Sequence, residues 1–339
     1  MTDPHGSADL LQRMRFEINR DLEMALDRSV FEKSPILNEM FRYQLGIGTT
    51  KKRQGKRVRP LFTLTACGAT GGDWQQALPA ASAVELIHNF SLIHDDIEDD
   101  SATRRGRATI WKKWGVPQAI NTGDAMFALA RLTTKSLRDD DFPPEIILDV
   151  HHMLDEACLQ LTWGQHLDLV FESVERISTD QYLDMIFGKT AALFAAACAI
   201  GARLGGATDE IVQTYRAFGE YAGRAFQIID DILGIWGVPE KTGKPVGDDL
   251  RSHKMTLPVI YALEVSEEFS NLWAAHNTEN ARIAHMITLL DRIQAREYTQ
   301  KYAEDYANLA KAAHNSSNAD SPEGLALWGL AEGLIAREY

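Results

Sequence analysis

Apolar residues recur at helical spacing along nearly the whole chain, whereas short alternating runs closed by Asn-Gly or Asp-Gly turns are missing. This periodicity predicts an all-α fold. Helix punctuation agrees. Gly71-Gly72-Asp73 precede one helical pattern, Ser178-Thr179-Asp180 form an N-cap region, Gly205-Gly206 close an alanine-rich run, and Asn315 to Pro322 reads as a polar loop. No internal repeat, low-complexity tract or Pro/Gly/Ser-rich linker divides the 339 residues. The expectation is therefore one large helical domain over 1–339 with a loose N-terminal tail at about 1–8.

With 45% hydrophobic and 24% charged residues the chain can bury a large core, and its net charge of -13 leaves no basic face for nucleic acid. Any phosphate it binds must meet local cations or metal ions. Cys67, Cys158 and Cys198 are too few and too scattered for a disulfide framework or a CxxC metal site, so they read as reduced core residues. The first ten residues lack the basic stretch and apolar core of a signal peptide. The longest apolar stretch, Ala191 to Ala202, is shorter than the ~20 residues that span a bilayer. A soluble, cytoplasmic protein with no transmembrane segment is expected.

The strongest local signal runs from Glu85 to Asp99, an apolar-periodic helix that suddenly acquires carboxylates. At about 100° per residue, Asp95 and Asp99 lie one turn apart on one face, and His88 falls within about 20° of Asp95. With Asp96, Glu98 and Asp100, five acidic side chains occupy six positions, and like charges one turn apart repel. Acidic clusters are usually solvated helix ends. The adjoining segment, Ser101-Ala-Thr-Arg-Arg-Gly-Arg107, changes that weighting. Magnesium takes one or two carboxylates and completes its shell with water and substrate phosphate oxygens, and arginines beside such a site can grip the same phosphates bidentately.

A second polar intrusion into an apolar helix spans Gly223 to Asp231, where Gln227 stands three residues before Asp230 and four before Asp231. All three can face one side. A glycine-containing loop, Thr242 to Asp249, and then Lys254 to Pro258 lie downstream; the GxxxxGK[ST] of a P-loop is not present.

Six segments in order carry a family resemblance: GKRVRP at Gly55 to Pro60, ELIHNFSLIHDDIEDDSATRRG at Glu85 to Gly106, GQHLDL at Gly164 to Leu169, GKT at Gly188 to Thr190, FQIIDDILG at Phe226 to Gly234, and TGKPVGDDLRSHKMTLP at Thr242 to Pro258. Together they closely resemble the trans-isoprenyl diphosphate synthases, the polyprenyl synthetases, and among them the short-chain farnesyl and geranylgeranyl types. The resemblance implies a single bundle of long helices around a deep central cavity, usually as a homodimer, with the two aspartate-rich segments facing each other across its mouth. It implies an allylic diphosphate held through Mg²⁺, three ions with substrate bound, by Asp95, Asp96 and Asp99 and by Asp230 and Asp231. Arg104, Lys189, Thr190, Gln227, Lys244 and Lys254 match positions that contact the allylic diphosphate or stabilise it as it leaves. Lys56, Arg59, His88 and Arg105 match positions that hold isopentenyl diphosphate. Singly, each cation could be a solvated surface group and His88 a satisfied core histidine; six motifs in order outweigh that.

Such chemistry breaks a carbon–oxygen bond to give an allylic cation and pyrophosphate. Cations must stabilise the leaving group while an apolar wall excludes water. Gln165 and Asp168 fit either a substrate wall or a helix–helix hydrogen bond. The sequence departs from the family pattern at Gly234, which stands where the second motif commonly has a third aspartate, at Ala108, which replaces a usual proline, and at His253, often glycine. Chain length in the family depends on the residues four and five positions before the first aspartate, here Ser91 and Phe90. The bulk of Phe90 suggests a blocked floor and a product of fifteen or twenty carbons, although helix arithmetic puts Ser91 about 40° and Phe90 about 140° from Asp95. A terpene cyclase would share Asp95 and Asp99 but would not need the isopentenyl-binding set. A non-catalytic partner subunit should have lost a cluster or the arginine pair.

Overall fold

The computed structural model describes residues 4–27, 33–48, 55–239, 245–275, 279–317 and 320–336. The described chain is almost wholly helical, as the periodicity predicts. Its first part comprises α1 (Pro4–Leu26), α2 (Pro35–Leu45), α3 (Val58–Ala69), α4 (Leu78–Glu98), the strands β1 (Thr103–Arg104) and β2 (Arg107–Ala108), α5 (Ile110–Trp114) and α6 (Val116–Thr134). Next come α7 (Pro144–Phe171), α8 (Thr179–Ile186), a π-helical turn (Phe187–Ala191), α9 (Ala192–Leu204) and α10 (Asp209–Trp236). The last part is α11 (Asp248–Arg251), α12 (Leu257–Val265), α13 (Glu267–Trp273), α14 (Asn280–Arg292), α15 (Ala295–Asn315) and α16 (Pro322–Ile335).

Two details differ from the sequence reading. Helix α1 already runs from Pro4, so residues 4–8 are helical where a loose tail is expected. Leu10, Met14, Ile18 and Leu22, spaced by four, are buried along it, and extending an existing helix by a turn costs far less than nucleating one. The second is the hairpin of β1 and β2, which pairs Thr103 with Ala108 and Arg104 with Arg107. Its two-residue turn is Arg105-Gly106, both with positive φ (53° and 71°). That is the conformation a type I′ turn requires.

The fold groups into two compact units, Met1–Cys158 with Ala196–Arg216 and Ser316–Leu330, and Leu159–Ala195 with Ala217–Asn315 and Ala331–Tyr339. All but one of the boundaries, that at the end of α15, fall inside helices, α7, α9, α10 and α16. No linker composition can therefore mark them. In the first unit α4 packs against α1, α3 and α6, burying Val84, Leu86, Ile87 and Ile93. Gly201 lets α9 approach α3, since a Cβ there would sit 2.2 Å from the Thr63 carbonyl oxygen.

The core of the second unit gathers Tyr182, Ile228, Ile232, Leu257, Phe269 and Leu290. The backbone of the π-helical turn approaches α7 closely, since a Cβ on Gly164 would lie 2.0 Å from the Lys189 backbone nitrogen. The run Thr179–Leu204, which includes the alanine-rich stretch, is long and apolar enough to cross a membrane by length and composition, with 89% of its most apolar window buried in the protein. Lys189 and Thr190 stand just before the apolar stretch Ala191 to Ala202, and the helical path continues through them. All three cysteines are free and buried.

These contacts separate two kinds of glycine. Gly164→Ala should destabilise by about 1–3 kcal/mol or more through overpacking. Gly329→Ala, in α16 with nothing within 4 Å of the added Cβ, should stabilise by roughly 0.5–1 kcal/mol. Thermal or urea unfolding of both variants checks the pair, and shifts of the same sign would contradict the packing argument.

Candidate functional site

Helix α4 is buried as far as Ile93 and then ends in acid: its final turn carries no basic residue. Carboxylates at a helix C-terminus oppose the macrodipole. Nothing in helix stability favours this cluster. Asp95 and Asp99 are half-buried one turn apart, the Asp99 amide donating to the Asp95 carbonyl at 2.8 Å. Asp96 faces the other way and is 1% exposed, accepting from Arg104 Nε at 2.7 Å. Burial pushes its carboxyl up from the usual range while Arg104 holds it down. Asp96, expected among the metal ligands, has its carboxylate directed into the protein, where it orients Arg104.

The other cations of the first unit converge from two segments. Arg59 Nη1 lies 3.2 Å from His88 Nε2. Burial, and then Arg59, Arg105, Arg104 and Arg57, push His88 well below the ordinary histidine value. Its ring is therefore neutral, and because a guanidinium only donates, Nε2 is the acceptor and the proton sits on Nδ1. Arg105 lies against Gly55, where a Cβ would come 2.8 Å from Arg105 Nη1. Lys56, between Gly55 and Arg57, is exposed. The four residues of the isopentenyl-binding expectation are thus distributed over the N-terminus of α3, the middle of α4 and the hairpin turn.

Of the two chain-length residues, Ser91 is buried with its hydroxyl donating to the His88 carbonyl at 2.9 Å. Phe90 turns toward α6, its ring edge-to-face with Phe127 at 5.2 Å and with His94 at 5.7 Å.

The second unit holds a continuous polar chain. The Thr190 hydroxyl donates to Gln227 Oε1 at 2.7 Å, Gln227 Nε2 donates to Asp231 Oδ1 at 3.0 Å, and the Tyr182 hydroxyl donates to Asp231 Oδ2 at 2.6 Å. The Leu257 amide approaches Oδ2 at 3.5 Å. Burial, and next the Asp249 charge, raise Asp231 to about 7. Asp231, also expected among the metal ligands, has both of its oxygens on protein donors and is 4% exposed. Asp230, its neighbour, is half-buried.

Gly234 has a direct reason: a Cβ there would lie 1.9 Å from Asp249 Oδ2. The carboxylate of Asp249 occupies the space a third aspartate would need. His253, in left-handed conformation at φ 55°, stacks on Trp273 at 3.8 Å between ring centroids, a contact glycine would lack. Lys189, on the π-helical turn, pairs with Asp168, which resolves Asp168 toward a helix–helix ion pair. Gln165 is buried beside them in sequence. Lys254 is half-buried, with its amide donating to the Asp249 carbonyl at 2.9 Å. Lys244 lies outside the described residues.

Sequence reasoning missed Tyr182 and Asp249 in this network and Arg57 and Glu85 in the first unit. Arg57, Glu85 and Asp249 lie inside three of the six segments quoted above, whereas Tyr182 lies outside all of them.

The depressed His88 value sets a pH dependence. The unfolded chain, with histidine near 6.5, takes up a proton before the folded one as pH falls. The contribution is therefore full above about pH 6.5 and is lost below it. Unfolding midpoints from pH 7.5 to 5 should fall more steeply for the wild type than for His88→Gln; parallel profiles would overturn the neutral-ring assignment.

Comparison with known proteins places the chain and its fold. The family model described as Polyprenyl synthetase matches residues 35–290. A geranylgeranyl diphosphate synthase of Mycobacterium tuberculosis is 37% identical over 329 residues, covering 94% of this chain and 93% of the relative. The crystal structure of a geranylgeranyl pyrophosphate synthetase from Pyrococcus horikoshii superposes with a TM-score of 0.89 at 32% identity, over 98% of this chain and 99% of that one. A polyprenyl synthase from Caulobacter crescentus, complexed with calcium and isoprenyl diphosphate, gives 0.83 at 29% identity, over 98% and 97%. Six ordered motifs, an all-helical fold and a match over most of the chain make this protein a member of the polyprenyl synthetase family.

Proposed function

We propose that this protein condenses isopentenyl diphosphate with an allylic diphosphate, head to tail, and releases a prenyl diphosphate of fifteen or twenty carbons. The observation that carries the reading is the coexistence of two separate sets of charge in the first unit: Asp95 and Asp99 at the end of α4, and the cations around His88. A synthase needs one set for each diphosphate, whereas a cyclase needs only the first.

Among the described residues no group of three or more His, Cys, Asp or Glu is placed to hold a metal by protein ligands alone. Magnesium does not require one, because one or two carboxylates suffice where substrate phosphates and water complete the octahedron. The hard oxygen donors of the half-buried Asp95 and Asp99 fit that ion, and the carboxylate of Asp230 has the same chemistry. When bound, Mg²⁺ neutralises charge on the departing pyrophosphate.

The chain's own residues do the remainder. Arg104, aimed by Asp96, and Lys189, Lys244 and Lys254 stabilise the leaving diphosphate. Thr190 and Gln227, fixed by Asp231 and Tyr182, present a set of dipoles that need no reorganisation as charge develops. Lys56, Arg59 and Arg105 hold isopentenyl diphosphate, with neutral His88 accepting from Arg59 and so fixing its guanidinium. Apolar walls exclude water from the allylic cation, the isopentenyl double bond attacks it, and the departing pyrophosphate takes the final proton. Phe90, backed by Phe127, sets the floor for the growing chain. A homodimer in the cytoplasm completes the proposal.

Incubation with Mg²⁺, isopentenyl diphosphate and, separately, five-, ten- and fifteen-carbon allylic diphosphates should give longer prenyl diphosphates by mass spectrometry. A cyclic hydrocarbon formed without isopentenyl diphosphate would sink the reading. Asp95→Ala and Asp230→Ala should each lower turnover by about a hundredfold or more with the helical circular dichroism kept. Phe90→Ala should shift the product distribution to longer chains, and an unchanged distribution would remove Phe90 from the floor.

A further inference from the structure

Four guanidiniums bear on His88, those of Arg59, Arg105, Arg104 and Arg57. The first three have roles in gripping diphosphate. Arg57 differs, because it is 3% exposed and its whole head is taken up by protein. Nε donates to Asn19 Oδ1 at 3.0 Å on α1, Nη1 to Glu85 Oε1 at 2.7 Å on α4, and Nη2 to the Leu45 carbonyl at 2.5 Å at the end of α2. Glu85 is equally buried and accepts from Asn89 Nδ2 at 2.9 Å. Every nitrogen of the guanidinium thus meets a different helix, and the residue they tie down is the N-cap of a fourth, α3.

The backbone at Arg57 is left-handed (φ 52°, ψ 40°), a conformation that non-glycine residues avoid unless surrounding contacts impose it. Lys56 immediately precedes this forced bend, and Arg59 stands in the first turn after it. The Lys56 carbonyl is itself held by Arg15 Nε at 3.3 Å on α1. The end of α2 also holds the other cationic segment: Arg107 Nη2 donates to the Tyr43 carbonyl at 2.6 Å, and the Tyr43 hydroxyl donates to the Ala108 carbonyl at 2.8 Å. Carbonyls in a helix's last turn are spare acceptors at the negative end of its dipole. One helix end therefore sets the spacing between the Lys56–Arg59 segment and the hairpin that carries Arg104 and Arg105.

We propose that Arg57 is a positioning residue for isopentenyl diphosphate, holding the α3 N-terminus so that Lys56 and Arg59 meet the diphosphate group; this rests on the synthase reading above. Stability alone is a poor reason for such an arrangement, since a buried ion pair is commonly no more stabilising than apolar side chains of similar volume. What the fork provides is three fixed directions, which an ammonium cannot reproduce.

The test compares wild type, Arg57→Lys and Asn19→Ala as full-length proteins, with KM measured for each substrate at saturating co-substrate and unfolding midpoints measured alongside. Arg57→Lys should raise KM for isopentenyl diphosphate by roughly 10- to 100-fold, the scale of an ångström-level misplacement, while KM for the allylic diphosphate changes by less than about twofold. Asn19→Ala, which removes one of the three contacts, should shift the same constant in the same direction by a smaller factor. A folded variant with unchanged isopentenyl diphosphate KM, or with both KM values rising together, overturns the proposal; if Arg57→Lys does not fold, Asn19→Ala decides it by the same criterion. A wild type that makes no longer prenyl diphosphate refutes the synthase reading instead. Calorimetric titration with inorganic pyrophosphate then decides the positioning role, with at least about tenfold weaker binding to the variant expected and equal affinities overturning it.

Discussion

One rigid helix, α4, carries side chains of four different roles at fixed angular offsets, and the first unit is arranged around that constraint. Glu85 anchors the buried ion pair with Arg57, His88 accepts from Arg59, Phe90 meets Phe127, and the last turn presents Asp95 and Asp99. A helix fixes these offsets to within side-chain rotamers, which loops cannot do. The carboxylates at its C-terminus are held against the helix dipole, a cost the buried apolar stretch from Ala80 to Ile93 can absorb through packing on α1, α3 and α6.

Burial then sorts charges that look alike in sequence. Asp95 and Asp96 are adjacent, yet the 100° turn between them sends Asp96 into the protein, where Arg104 neutralises it. The same sorting separates Asp230 from Asp231. In each pair the inward carboxylate orients a polar partner, Arg104 in one unit and Gln227 in the other, and its neighbour is half-buried.

The second unit builds its polar chain by allowing backbones to touch. Gly164 and Gly188 admit contact between α7 and the π-helical turn, and that contact carries the Lys189–Asp168 pair. A π turn inserts a residue into the helical register, so Lys189 and Thr190 face differently than an uninterrupted helix would place them. The Gly234 substitution belongs to the same economy of space: Asp249 brings a carboxylate to the volume that an aspartate side chain at 234 would fill.

The sequence by itself determined the helical class, through a hydrophobic period that only helices satisfy, and the two acidic intrusions, because clustered carboxylates in apolar helices repel and must have a counter-charge. It determined the family as well, since six motifs of chemically costly residues occur in order. Tertiary structure decided which member of each aspartate pair is buried, that Arg57 rather than its neighbours is the inward arginine, that Tyr182 reaches Asp231, and why position 234 is glycine. Those outcomes depend on contacts between separate segments, 8 positions apart for Asp96 and Arg104, 28 for Arg57 and Glu85 and 49 for Tyr182 and Asp231. Local periodicity carries no information about them. The hairpin at Arg105-Gly106 and the π turn escaped for a different reason: each spans too few residues to show a repeating pattern.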